Sequence, residues 1–268
     1  MANTYWHKQT ADKPLFPELL WSQPEQLKAS GKLLIIGGNS HGFASVAEAF
    51  SQATKAGIGT VRILLPDVLR KIIGKSLDQS EFAPSTPSGS FGRQALADFM
   101  DNSSWADGVL MAGDLGKNSE TAILLETFIE KYQGQLSLSG DALDYFVSQP
   151  KALLQRPKTL LVPSFEQLQK LAMHADSSTA FTAKLDFLHL VDAMHEFSKG
   201  INANIVLIKE STALVASNGQ ISTTNLVRIP SATKAAAYAG VWCLQNPSKP
   251  FEALTTSLVA NSSTIDFK

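Results

Sequence analysis

Residues 31–50 have the sequence GKLLIIGGNSHGFASVAEAF, and this stretch decides the fold. The run 33–36 is continuously apolar and is followed by two glycines, which predicts a short buried strand ending in a glycine loop. Beyond the loop, apolar side chains recur at the spacing of a helix face, at Val46, Phe50 and Ala53. Residues 60–65 predict the next strand. Residues 31–65 thus predict a strand, a glycine loop, a helix and a second strand in succession.

The same alternation of short apolar runs and amphipathic stretches continues along the chain. Further strands are predicted at 108–111, 135–139, 159–162, 204–208 and 213–216. Further helices are predicted from a capping Ser119, from a capping Ser164 with Gln167 three residues on, and over about 182–199, 231–244 and 250–259. Asn218-Gly219 predicts a hairpin turn after the strand 213–216. Residues 74–104 are the least regular part and are interpreted as a loop or a small excursion.

This pattern is typical of an α/β fold with a mostly parallel central sheet and helices on both faces. No composition change is sharp enough to mark a domain boundary, so we predict one domain over residues 1–268. Residues 1–30 are interpreted as an N-terminal extension.

Composition and charge exclude several classes of protein. The chain has 268 residues, 44% of them hydrophobic, and its 23 basic and 24 acidic residues give a net charge of -1. This balance predicts no nucleic-acid partner and no anionic membrane surface as partner. One cysteine, Cys243, cannot form an internal disulfide and indicates a reducing compartment. Without a signal-peptide pattern or a window of 18 apolar residues, we expect a cytoplasmic protein.

Ligands of open α/β sheets bind beyond the carboxyl ends of the strands, so the segments that follow the strands are the candidate site. These segments are GGNSHGFAS (37–45), AGDLGKNSET (112–121), SGDALDYF (139–146), VPSFEQL (162–168) and KESTALVASNG (209–219). The chain contains neither the GxGxxG fingerprint nor the GxxxxGK[ST] phosphate loop. No metal site is indicated, because His189 and His195 are six residues apart on one predicted helix and would not share a face.

Taken in order, these segments resemble those of the ribokinase-like ADP- or ATP-dependent NAD(P)H-hydrate dehydratases. That family typically has GGS…GA, AGAG, GPGLG with an acidic helix, LDADAL, TPHPGE, a KG segment, GSGD and a later PFEA. The corresponding stretches here are 37–45, AGIG (56–59), AGDLG (112–116), SGDAL (139–143), VPSFEQ (162–167), IKE (208–210) and PFEA (250–253). The resemblance covers about residues 33–259 and implies a three-layer ribokinase-like fold.

The resemblance also implies a function and a set of ligands. The family repairs damaged nicotinamide nucleotides: it phosphorylates the hydroxyl of the hydrated ring with ADP or ATP, and phosphate then leaves to regenerate NADH or NADPH. It further implies a homo-oligomer, and nucleotide contacts at ten positions of this chain. These positions are Gly37, Gly38, Asn39, Ser45, Asp114, Gly116, Asp141, Ser164, Lys209 and Thr233.

The chain departs from the family pattern at the position of the family's proton acceptor. Counted back from PFEA, the GSGD segment falls on residues 231–234, and Lys234 replaces the aspartate. No aspartate occurs between Asp192 and Asp266. A lysine is normally protonated near neutral pH and cannot accept a proton. We therefore predict a divergent homologue that retains nucleotide binding but has lost or weakened catalysis, with Lys234 inactive as a base.

Other family positions have changed as well. Asp114 places a carboxylate where the family has glycine, and like charges should weaken the binding of an anionic nucleotide. Ser164 and Gln167 replace the histidine and glutamate of TPHPGE, and Ser139 replaces the first aspartate of LDADAL.

Structural roles are open for the same residues. Lys209 can be an exposed lysine at a strand end, and Asp141 can be a helix cap. Asp114 can cap a loop. Lys234 can bind a phosphate as a point charge or be a solvated lysine in a first helical turn. His41 is the histidine nearest the expected cleft.

Two further hypotheses remain open. The protein could be an active dehydratase or small-molecule kinase that uses another acid, such as Asp114 or Asp141. It could instead be a structural or regulatory subunit without a small-molecule site. Family members commonly continue beyond the PFEA helix, so we expect a chain that is either naturally short or trimmed after NSSTIDFK (261–268).

Overall fold

The computed structural model describes residues 4–21, 24, 30–73 and 79–263. Within these residues, ten strands form one sheet. They are β1 (Trp6–Gln9), β2 (Lys32–Gly37), β3 (Thr60–Pro66), β4 (Ser80–Ala83), β5 (Gly108–Gly113), β6 (Gln135–Ser139), β7 (Thr159–Val162), β8 (Asn204–Lys209), β9 (Thr212–Ser217) and β10 (Gln220–Asn225).

Helices alternate with the strands from β1 to β7. They are α1 (Pro17–Trp21), α2 (Ala44–Lys55), α3 (Arg70–Ile73), α4 (Leu96–Trp105), α5 (Ser119–Lys131), α6 (Lys151–Leu154), α7 (Phe165–His174), α8 (Phe187–Lys199), α9 (Ala232–Gln245) and α10 (Pro250–Ser263).

The strand order is β1-β10-β9-β8-β7-β6-β5-β2-β3-β4. Only β9 runs antiparallel to its neighbours, β8 and β10, and the Asn218-Gly219 turn joins it to β10 as predicted. The other paired strands are parallel. The mostly parallel α/β fold is confirmed.

Two apolar cores lie on opposite faces of the sheet, because strands covered on both sides are apolar at successive positions. One core contains Leu19 of α1, Val46 of α2, Trp242 of α9 and Leu254 of α10. The other contains Phe99 of α4, Phe128 of α5, Leu168 of α7 and Met194 of α8. Helices therefore cover both faces, and α2 and α9 lie side by side on the same one.

The chain changes direction in the sheet between β2 and β5. From β2 it proceeds through β3 to β4 on one side, and it then returns to β5 on the other side of β2. A crevice beyond the carboxyl ends of two such strands is the usual ligand site of open α/β sheets. The fold therefore places the candidate site where the loops after β2 and β5 meet.

Three local predictions differ from the structure. Residues 74–104 are not merely a loop, since they include β4 and most of α4; residues 74–78 lie outside the described residues. Asn118, not Ser119, caps α5, because its side chain accepts the main-chain N–H of Glu120. The helix predicted over 182–199 begins at Phe187, where Asp186 provides the cap.

The segment interpreted as an N-terminal extension contributes β1, which pairs with β10 at the edge of the sheet, and α1. Residues 1–3, 22–23 and 25–29 of that segment lie outside the described residues, as do residues 264–268 at the other end.

Candidate functional site

The strand-end crevice lies between the loops that follow β2, β5 and β6 and the first turn of α9. Gly37 and Gly113 meet at its floor, where a side chain on Gly37 would lie 2.5 Å from the carbonyl oxygen of Gly113. The main-chain N–H of Gly38 donates to that carbonyl oxygen at 3.1 Å. These glycines let the two main chains touch, which accounts for the glycine loop that the sequence displays.

Asp114 brings the first two loops together. Its backbone has a φ of 57°, a conformation that glycine adopts more readily than aspartate. Its Oδ2 accepts the main-chain N–H of Ser45 at 2.7 Å, and its carbonyl oxygen accepts Nδ2 of Asn39 at 2.6 Å. Phe43 precedes α2 without a side-chain cap, so the Asp114 carboxylate supplies the cap from another loop. The structure thus joins Asn39, Ser45 and Asp114.

Asp141 holds the next loop in the same way. Its Oδ1 accepts the main-chain N–H of Leu115 at 3.3 Å, and its Oδ2 accepts that of Gly116 at 3.1 Å. Burial raises the pKa of Asp141, while the two hydrogen bonds oppose that rise. The carboxylate therefore occupies two main-chain donors that could otherwise face an anionic ligand.

The raised pKa of Asp141 predicts how stability depends on pH. Because the folded protein binds this proton more tightly than the unfolded chain does, the stability linked to it is present at low pH. It is lost as pH rises from the ordinary value of 3.8 through the folded pKa. We expect the wild type to lose stability relative to Asp141→Asn over that range, measured by urea unfolding at several pH values.

The control for that measurement is Asp101→Asn, which removes an exposed carboxylate on α4 and so accounts for the general effect of losing one charge. If the wild type instead gained stability relative to Asp141→Asn as pH rose, the expectation would be contradicted.

The first turn of α9 presents Thr233 to the strand ends. Its Oγ1 donates to the carbonyl oxygen of Ala112 at 3.0 Å, and the hydroxyl of Ser139 lies 3.3 Å from the same oxygen. Both hydroxyl groups are buried. The group that the first turn of α9 directs at the ends of β5 and β6 is therefore the hydroxyl of Thr233, which already donates a hydrogen bond to main chain.

Lys234 extends toward α2 instead. Its Nζ lies 3.4 Å from Oε1 of Glu48, whose Oε2 accepts the hydroxyl of Ser231 at 2.9 Å. The sequence has no aspartate between Asp192 and Asp266 that could accompany Lys234, but in the structure α2 brings the acid Glu48 there. Since 186 positions separate the two residues, only the packing of α2 against α9 shows this pair.

Ser164 and Lys209 lie on the far side of the crevice. Ser164 and Gln167 form the predicted capping box of α7, and Nε2 of Gln167 also donates to the carbonyl oxygen of Gly140 at 2.9 Å. Nζ of Lys209 lies over the ring of Phe165, 4.9 Å from its centre. These two predicted residues thus flank the crevice, with contacts that are structural.

A loop over residues 84–92, part of the segment that was interpreted as a loop or a small excursion, covers the β2 side of the crevice. The main-chain N–H of Ser40 donates to the carbonyl oxygen of Gly89 at 2.9 Å. A side chain on Gly116 would lie 2.8 Å from Oγ of Ser90. The sequence signal for this close approach is the presence of glycines at 89 and 92 among small hydroxyl residues. That signal does not show which loops the segment contacts.

Lys234 also lines a cavity of about 310 Å³ between α2, α9, α10 and the segment 226–230. We call it the cationic cavity, because it is lined by Lys55, Arg228 and Lys234. Among the described residues, neither Lys55 nor Arg228 forms an ion pair. The rest of the lining is mixed, with apolar surface from Val227, Ile229, Leu258 and the ring of Tyr238 and polar groups from Gln52, Ser257 and Asn261.

Neither a metal-ligand cluster nor a membrane-spanning helix is found in the described part of the chain. No three histidine, cysteine, aspartate or glutamate side chains are grouped as metal ligands there. No helix there is long and apolar enough to span a membrane.

The sheet order and the helices on both faces are those of solved structures with a ribokinase-like fold. A ribokinase-like superfamily protein from Enterococcus faecalis superimposes with a TM-score of 0.68 at 14% identity, over 97% of this chain and 88% of that one. The ADP/ATP-dependent NAD(P)H-hydrate dehydratase of Bacillus subtilis, co-crystallised with ATP and Mg²⁺, gives a TM-score of 0.64 at 12% identity, over 93% and 87%. The chain thus has a ribokinase-like fold.

The sequence is also similar to a curated protein. It is 26% identical over 185 residues to the bifunctional NAD(P)H-hydrate repair enzyme Nnr of Methanothermobacter thermautotrophicus, covering 66% of this chain and 33% of that protein. The chain thus spans about a third of the length of this relative. No family model matches the chain.

Proposed function

We propose that this protein binds an adenine nucleotide, ADP or ATP, in the cationic cavity. The observation that carries the proposal is the cavity itself, where three cations, two of them without an ion-pair partner among the described residues, lie beside apolar side chains. Lys55, Arg228 and Lys234 would hold the phosphates, and Tyr238 and the segment 226–230 would contact the base. A bound nucleotide would supply a phosphoryl group.

The similarity to repair enzymes supports hydrated NADH or NADPH as the ancestral substrate. We propose that catalysis on it is lost or weakened. The support is that Asp114 and Asp141 already accept main-chain N–H groups, and that Thr233 rather than a carboxylate extends from α9 to the strand ends. The cytoplasmic location and the homo-oligomer stay predictions.

Binding and turnover test the two parts of the proposal separately. At a nucleotide concentration 100 times Kd, we expect binding to stabilise the fold by about 2.7 kcal/mol. A thermal-shift series with ADP, ATP, NADH and NADPH measures this effect. In the paired variants Lys55→Gln and Arg228→Gln the shift should shrink, whereas in Lys131→Gln, which removes an exposed lysine of α5, it should not.

For turnover, we expect dehydration of hydrated NADH with ADP or ATP to be about 10²- to 10⁴-fold slower than that of the B. subtilis enzyme in a parallel assay, since this is what a positioned base contributes. Comparable rates would contradict lost catalysis. No thermal shift with any of the nucleotides would contradict nucleotide binding and favour a structural subunit.

A further inference from the structure

The carboxylate of Glu48 contacts two polar groups at the start of α9, the hydroxyl of Ser231 and the ammonium group of Lys234, and Lys234 lines the cationic cavity. Oε2 of Glu48 accepts the hydroxyl of Ser231 at 2.9 Å, and Oε1 lies 3.4 Å from Nζ of Lys234. The same Ser231 hydroxyl accepts the main-chain N–H of Lys234 at 3.2 Å. Glu48 thus occupies a position defined by a hydroxyl donor and an ammonium group.

Phosphate oxygens bind to the same kinds of group. A phosphate accepts hydrogen bonds from hydroxyl groups and pairs with lysine, as a carboxylate does, but it carries more charge and more acceptor oxygens. Lys55 and Arg228 line the same cavity and form no ion pair within the described part of the chain. They would therefore attract a ligand that carries more negative charge than Glu48.

The contact between Glu48 and Lys234 is also accessible. Their side chains are 41% and 39% exposed, and such half-exposed ion pairs are weak because water competes for both charges. Both residues extend from helices that are anchored in the core by other side chains, so the side chains can separate without a change in the fold.

We propose that Glu48 is a resident anion, which occupies the position of a ligand phosphate at Lys234 and Ser231 and leaves it when a nucleoside polyphosphate binds. This inference rests on the proposed nucleotide binding and adds how that site is regulated. Binding is then an exchange of one anion for another, and Glu48 lowers the affinity of the cavity for every phosphorylated ligand.

The test compares the affinity of wild type and Glu48→Gln for ATP and for inorganic tripolyphosphate by isothermal titration calorimetry. Glutamine keeps the shape of the side chain and can accept the Ser231 hydroxyl, but it leaves Lys234 without its counter-charge. We expect about fivefold tighter binding of both ligands in Glu48→Gln, the size of one charge interaction near a surface. Glu48→Ala provides a second variant without the side-chain amide, and the same direction is expected.

The matched control is Glu166→Gln. It also removes a carboxylate that pairs with a lysine, Lys170, at 2.7 Å, but α7 lies on the other face of the sheet. Its affinities should equal those of the wild type.

The outcomes separate the two proposals. Equal affinities in wild type and both Glu48 variants would overturn the role of Glu48 and leave nucleotide binding intact. Weaker binding in the variants would also overturn it, because Glu48 would then assist the ligand. Absence of binding in wild type and variants alike would overturn both proposals.

Discussion

Arg156→Met should lower the free energy of unfolding by about 3 kcal/mol, although Arg156 is remote from the candidate site. The residue is 7% exposed and forms no ion pair with any carboxylate in the described ranges. Its guanidinium group donates from Nη2 to the carbonyl oxygens of Tyr132 and Gly134, at 2.6 and 2.7 Å. From Nη1 it donates to Pro157 and Thr159.

These contacts join the end of α5 to the starts of β6 and β7. The carbonyl of Tyr132 lies where α5 ends, so a cation there also interacts favourably with the helix dipole. Burial lowers the pKa of Arg156, which shows that burying this charge has a cost. Replacing a whole buried ion pair by apolar residues is often harmless, but here the carbonyl acceptors would remain without donors.

Chemical unfolding of Arg156→Met measures the change, and a loss of 3 kcal/mol corresponds to roughly 6–12 °C in Tm for a domain of this size. Lys131→Met, which removes an exposed cation in the last turn of α5, is the control and should change stability by less than about 0.5 kcal/mol. If Arg156→Met were as stable as this control, the hydrogen bonds would contribute nothing.

The central parallel strands were predictable because both of their faces are buried, whereas the half-buried parallel strands β1 and β4 at the sheet edges were not predicted. The apolar run 33–36 lies within β2, and the predicted 159–162 is β7 itself. Such runs need no knowledge of their partners, since any residue covered from both sides must be apolar. Glycines then fixed where the strands end, and with them the loops of the candidate site.

Helix α4 was not predictable in the same way. Leu96, Phe99 and Met100 have the spacing of a helix face, but the surrounding serines, prolines and glycines favoured a loop. The helix forms because Phe99 packs between Phe91 and Phe128, with ring centres 5.0 and 5.5 Å apart. Tertiary contacts of this kind override weak local preferences.

The candidate site was predictable as a set of loops but not as a set of contacts. In the sequence, Asp114 and Lys234 depart from the family pattern, and Asp141 is one of the implied nucleotide contacts. Their partners are Ser45, the N–H groups of residues 115–116, and Glu48, each from another loop or helix. Pairings over such separations depend on how the elements pack, which spacing along the chain does not encode.

The same limit applies to the N-terminal segment, where Gln9→Leu should cost about 2 kcal/mol. Gln9 is 4% exposed at the end of β1. Its Nε2 donates to Oγ1 of Thr224 at 2.8 Å and to the carbonyl oxygen of Thr255 at 2.6 Å. Its Oε1 accepts the main-chain N–H of Leu15. One amide thus ties β1 to β10, to α10 and to the chain leading to α1.

Leucine has nearly the volume of glutamine, so the loss in Gln9→Leu measures the hydrogen bonds rather than a cavity. His7→Gln, on the same strand, replaces a side chain with one exposed hydrogen bond and should stay within about 0.5 kcal/mol of the wild type. Urea unfolding of the two variants decides the point. If Gln9→Leu loses about 2 kcal/mol of unfolding free energy, residues 6–9 are part of the cooperative sheet and protect the edge of β10. If it loses no more than His7→Gln, β1 can detach while the rest of the sheet stays folded.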